Sequence, residues 1–177
     1  GANVGQNADA EEEAEEEAEE SKPPLLPGLN PVDITLNLEP YPYEFEFGNW
    51  VTGQTFRSKC GSRMDTDTMS ELSVCIYSTF TTNVSYVDAS VTAFGGDLSA
   101  ASWFLPYLAT LPYDGSDPQA ARAWVEENLA NIQEGEILTV EFGPAVYELY
   151  GNGSTAVFLR IKPVGLDEWM TKALIGG

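Results

Sequence analysis

A chain of 177 residues with 28 Asp and Glu against 8 Lys and Arg carries a formal charge of -20 at neutral pH. That balance excludes nucleic-acid binding, because neutralising phosphates needs clustered Lys and Arg, and it excludes docking on anionic lipid for the same reason. With 43% hydrophobic and 11% aromatic residues, the chain still has enough apolar material for the core of one domain, with a tail to spare.

The acid is concentrated at the start. Asp9 and the eight Glu between Glu11 and Glu20 place nine negative charges in the first 20 residues, leaving 19 acidic and 8 basic residues, or -11, for residues 21–177. Ala and Glu favour helix, but Glu11/Glu15, Glu12/Glu16 and Glu16/Glu20 repel at helical spacing and no apolar stripe exists to dock such a helix, so the run reads as disordered. Ser21-Lys22-Pro23-Pro24-Leu25-Leu26-Pro27-Gly28 continues as an extended linker stiffened by three prolines and ends near Asn30-Pro31. Residues 1–30 are thus expected to be a tether and residues 31–177 a single domain. The opening Gly1-Ala2-Asn3, without Met, reads as a processed or truncated start, and no stretch approaches 18 consecutive apolar residues.

Strand signals follow in order. Ile34-Thr35-Leu36-Asn37-Leu38 alternates, as does Tyr43-Glu44-Phe45-Glu46-Phe47, with three aromatics on one face and two acids on the other. Further strands are expected at Thr55–Lys59, Leu72–Thr79 and Val84–Ala93. Two helices come next. The first is capped by Asp97, carries a stripe of Leu98, Ala101, Leu105 and Leu108, and is shortened by Pro106; the second opens on Ser116-Asp117-Pro118-Gln119 and buries Ala121, Trp124, Val125, Leu129 and Ile132. Trp124 on that stripe reads as core.

The last third reads as a meander: Ile137–Phe142, a Gly143-Pro144 turn, Ala145–Tyr150, a Gly151-Asn152-Gly153 turn, and a strand with Val157, Leu159 and Ile161 on one face. Leu166, Trp169, Met170 and Ala173 suit a short closing helix. Strands, two consecutive helices, then strands predict an α+β fold, an antiparallel sheet of about 6 strands with both helices on one face.

Cys60 and Cys75 fall on adjacent predicted strands, where they are either cross-strand disulfide partners or two buried thiols; the disulfide reading implies an oxidising, extracellular location. The Glu/Ala/Pro tail before a small strand-rich domain, the block Ala123-Trp124-Val125-Glu126-Glu127-Asn128-Leu129 and the hairpin Ala145-Val146-Tyr147-Glu148-Leu149-Tyr150-Gly151 together resemble uncharacterised tethered surface lipoproteins of Gram-positive bacteria. What the resemblance implies is location at the cell surface through a lipid-bearing Cys just before residue 2, and no activity.

The sequence contains no His, which removes Ser-His-Asp and Cys-His nucleophiles and every His-containing metal site; two Cys cannot make a four-thiolate site, and no glycine pattern cradles phosphate. No cofactor is expected. Three positive signals remain. Asp65 and Asp67 begin a pattern reminiscent of a calcium loop, but Ser70 and Ile76 stand where an EF-hand needs Gly and Glu, so a polar turn is the plainer reading. Tyr41, Tyr43 and Trp50, beside Glu39, Glu44 and Glu46, are candidates for stacking on sugar faces or on a cation, against simple strand packing. Arg57, Lys59 and Arg63 could grip an anion, against scattered surface ion pairs. The function expected is a monomeric, non-catalytic extracellular binding domain for a protein or carbohydrate, touching membrane only through a lipid anchor. The alternative is a small secreted carbohydrate-active enzyme using Asp and Glu.

Overall fold

A computed structural model describes residues 10–13 and 22–176. Residues 10–13 are helical, in line with the propensity of Ala and Glu rather than with the disorder expected of the acidic run, most of which lies outside the described residues. The chain divides into two compact units, one spanning Leu25–Val164 and the other containing the segments before and after it.

The Leu25–Val164 unit begins earlier than the linker reading placed it. Leu26 and Leu29 are buried, and the Leu26 N–H donates to the Val84 carbonyl at 2.9 Å, so the Pro-rich segment enters the core instead of running free to residue 30. The segment expected as a first strand is instead helix α1, Pro31–Leu38. Asn30 accepts from the Val32 N–H at 3.1 Å, and the Asp33 carboxylate accepts from the Asn30 N–H at 2.9 Å. With Pro31 at the first position, this cap commits the segment to a 3.6-residue period in which Ile34 and Leu38 are buried and Leu36 is exposed.

The sheet has eight strands: β1 (Glu46–Phe47), β2 (Val51–Thr52), β3 (Arg57–Asp65), β4 (Ser70–Ser78), β5 (Tyr86–Ala93), β6 (Ile137–Phe142), β7 (Ala145–Gly151) and β8 (Ala156–Pro163). Their order is β1-β3-β4-β5-β8-β7-β6, with β2 also on β3, and every pairing is antiparallel. The sheet exceeds the expected six strands because β1 and β2 are two-residue pairings along β3. The long Tyr43–Phe47 strand does not form: Glu44 takes a φ of 51°, which breaks the alternation, and only its last two residues pair.

Helices α2 (Ala101–Leu108) and α3 (Pro118–Asn128) fill the crossover between β5 and β6. Asp117 caps α3 as expected, accepting from the Ala120 N–H at 3.2 Å, and Trp124 packs half-buried on the core. Asp97 does not cap α2. It accepts from the Ser99 N–H and hydroxyl, closing a turn ahead of the helix. The inward residues Leu72, Val74 and Ile76 of β4, Val87, Ala89 and Val91 of β5, and Leu159 and Ile161 of β8 join Ile34, Phe104, Leu105 and Val125 from the helices in one core. The fold is thus α+β, with an antiparallel sheet whose one face is covered by helices. In the other unit, α4 spans Leu166–Gly176 and carries a Lys172–Glu168 pair one turn apart at 3.6 Å.

Candidate functional site

Beyond α1, Pro40 closes a turn, its carbonyl accepting from the Tyr43 and Glu44 N–H groups at 3.1 and 3.0 Å, and the Phe45 N–H returns to the Leu38 carbonyl at 2.9 Å. The turn projects Tyr41, 84% exposed, on a cis Tyr41–Pro42 peptide. Tyr43 lies inside it. Its ring stacks on Tyr107 at 4.4 Å between centroids and stands 6.1 Å from Trp103, both on α2. Burial, and then the neighbouring Tyr107, raise the Tyr43 phenol above its ordinary value, so it stays a neutral donor.

From the other side comes the end of β3. Arg63 donates through Nη1 to the carbonyls of Pro42 and, at 2.8 Å, Tyr43, so its guanidinium ties the Tyr41–Tyr43 turn to the sheet. Asp65 closes the four-residue turn into β4: its carboxylate accepts from the Thr68 hydroxyl, which lies 2.6 Å from the Ser70 hydroxyl. Met69 takes a φ of 52°, sharpening the turn so that Asp67 and Thr68 face the same space as Asp65.

The result is an open cavity of about 410 Å³ lined by Tyr41, Pro42, Tyr43 and Trp103 together with Arg63, Asp65, Asp67 and Thr68. Rings offer flat apolar faces; carboxylates and a hydroxyl in the same lining offer hydrogen-bond acceptors. Of the candidates named from sequence, Tyr41, Tyr43, Arg63, Asp65 and Asp67 are brought together here. Trp50 packs half-buried against the core instead. Lys59 donates to the Gly48 carbonyl at 2.8 Å, and Arg57 stands at the far end of β3, about 20 Å from Arg63 at 3.3 Å per residue. The three basic residues therefore make no common anion site. Nor do Asp65 and Asp67 belong to a larger ligand set: among the described residues no three Cys, Asp or Glu gather as a metal centre would require. Trp103 and Thr68 were missed; the signal for Trp103 was an aromatic standing off the apolar stripe of its helix.

Cys60 and Cys75 are bonded, directly opposite one another on β3 and β4. A second polar cluster lies on the sheet positions pointing away from the helices. There Asp88 accepts both Nε and Nη2 of Arg160 at 2.6 and 3.0 Å across β5 and β8, and the guanidinium sits 5.4 Å from the Tyr86 ring centre. The hydrogen bonds to Asp88 hold the guanidinium pKa above its already high ordinary value, and the two charges satisfy one another as a cross-strand tie. No helix among the described residues is long and apolar enough to cross a membrane. No protein-family model, curated protein or solved structure matches the chain.

Proposed function

We propose that this is a non-catalytic, exported binding domain whose ligand is a segment of glycan held in the Tyr41–Trp103 cavity. The observation that carries the reading is the meeting, in one open cavity, of three aromatic rings with Asp65, Asp67 and Thr68. Sugar rings present apolar C–H faces and equatorial hydroxyls, and a cavity lined by both flat rings and acceptors complements both. The disulfide supports an oxidising compartment, and tethering at a bacterial surface through a lipid anchor follows the resemblance given above.

Calorimetric titration of the intact chain with a panel of α- and β-linked hexasaccharides tests the proposal. Binding of at least one member is expected, weakened about tenfold or more by Tyr41→Ala or Trp103→Ala, the loss that about 1.4 kcal/mol of buried ring contact produces. Tyr41 is exposed, so its truncation leaves the fold intact. Absence of binding across the panel, or binding indifferent to both substitutions, overturns the assignment. Release of new reducing ends from a bound oligosaccharide would replace it with the hydrolytic reading.

A further inference from the structure

We infer that the glycan is cationic, a chain of sugars bearing free amino groups, a refinement that rests on the glycan reading above. The charges lining the cavity are Asp65, Asp67 and Arg63. Arg63 directs Nη1 to the Pro42 and Tyr43 carbonyls, while the Asp65 carboxylate accepts from the uncharged Thr68 hydroxyl. Among the described residues neither aspartate is paired with a cation. Two carboxylates against one guanidinium leave the lining net negative, and beside the rings of Tyr41, Tyr43 and Trp103 they complement an ammonium group twice, by direct charge and by the negative faces of the rings. An anionic sugar meets the opposite field. The -11 of residues 21–177 acts in the same direction, raising the local concentration of a cationic chain before contact.

Glucosamine hexasaccharide and its fully N-acetylated counterpart are the probes, since they differ in charge and share the sugar backbone. The intact chain is expected to bind the free-amine oligomer about tenfold more tightly at low ionic strength, with the preference shrinking toward parity in about 0.5 M salt. Asp67→Asn, a surface substitution that breaks no hydrogen bond seen among the described residues, is expected to lose most of that preference, the free-amine oligomer weakening more than the acetylated one. Equal affinity for the two oligomers, or a preference that survives both salt and Asp67→Asn, overturns the cationic inference and leaves the glycan reading standing. Failure of both oligomers to bind, with binding to another neutral hexasaccharide, overturns it as well. Failure of every oligosaccharide removes the glycan reading itself.

Discussion

Tyr147 has no accessible surface, and its hydroxyl lies 3.2 Å from the Ala109 carbonyl and 3.1 Å from the Tyr113 hydroxyl, which in turn donates to the Phe142 carbonyl at 2.8 Å. The pair ties β7 to the residue ending α2, to the segment ahead of α3, and to the end of β6. Burial above all, and then the hydrogen bond to Tyr113, raise the Tyr147 phenol far above its ordinary value and keep it neutral. Tyr147→Phe is therefore expected to lower stability by about 1–2 kcal/mol, since it removes the one hydroxyl proton shared between the Ala109 carbonyl and the Tyr113 oxygen while the ring packing is kept. The midpoint of urea unfolding measures it, and an unshifted midpoint would mean that the network contributes nothing net. Alternation already marked Tyr147 as a strand residue. Its partners were invisible because they lie 34 and 38 positions away and belong to other elements. Arg63 teaches the same lesson from the other direction. In sequence it is one cation beside Arg57 and Lys59, whereas in the structure its backbone partners, 20 and 21 residues earlier, turn it into a strut.

At the scale of elements, the strands and helices with strong local signals were legible, and the failures share one cause. β4, β5 and β7 bury every second residue, as β8 does up to Ile161, so their period of two is written in the sequence. Ile34 to Leu38 alternates too, but Asn30, Pro31 and Asp33 supply a capping box, and a cap four residues upstream outweighs an alternation only five residues long. β2 left no pattern because two residues cannot display one, and β1 is the two-residue remnant of the Tyr43–Phe47 alternation. They exist because β3 offers a free edge, and the ring of Phe47 lies over Gly61, where any added Cβ would fall 2.6 Å from it. The β3–β4 hairpin is closed at one end by the Asp65–Ser70 turn and across its middle by Cys60–Cys75, a separation of 15 residues. In the chain-entropy account, a loop of that length makes the disulfide worth about 3 kcal/mol. Reduction, or the paired substitution Cys60→Ser and Cys75→Ser, should lower the urea midpoint correspondingly and loosen β3 first, because β3 carries only β1 and β2 on its other side. Amide exchange in β3 that stays as slow as in β5 after reduction would contradict this.

For the molecule as a whole, the cavity is assembled from residues 41–43, 63–68 and 103, which only the topology brings together: α1 leads into the first turn, β3 ends beside it, and α2 crosses behind. No local pattern announces such a meeting, which is why the aromatic and acidic signals appeared in sequence as separate weak hints. The global charge does not locate the site, but it sets the conditions for stability. With no His, little titrates between the carboxylates and the phenols, and the alkaline limit falls to the tyrosines. Desolvation pushes Tyr86 up to about 12, with the Tyr77 and Asp88 neighbours adding to it, and it raises Tyr77, Tyr113, Tyr147 and Tyr150 as well. A phenol raised in the folded state above its unfolded value of about 10 holds its proton more tightly when folded, so its contribution is complete below about pH 10 and is lost as pH climbs toward the folded value. Unfolding free energy from urea titrations should accordingly be flat from about pH 8 to 9.5 and fall between about 10 and 12, with phenolate absorbance rising in step with unfolding. Tyr86→Phe tests the share of one such phenol. It removes one shifted phenol, whose hydroxyl makes no hydrogen bond among the described residues, and should flatten the alkaline fall while leaving stability at about pH 8 little changed. An alkaline slope identical in the two proteins would contradict that share.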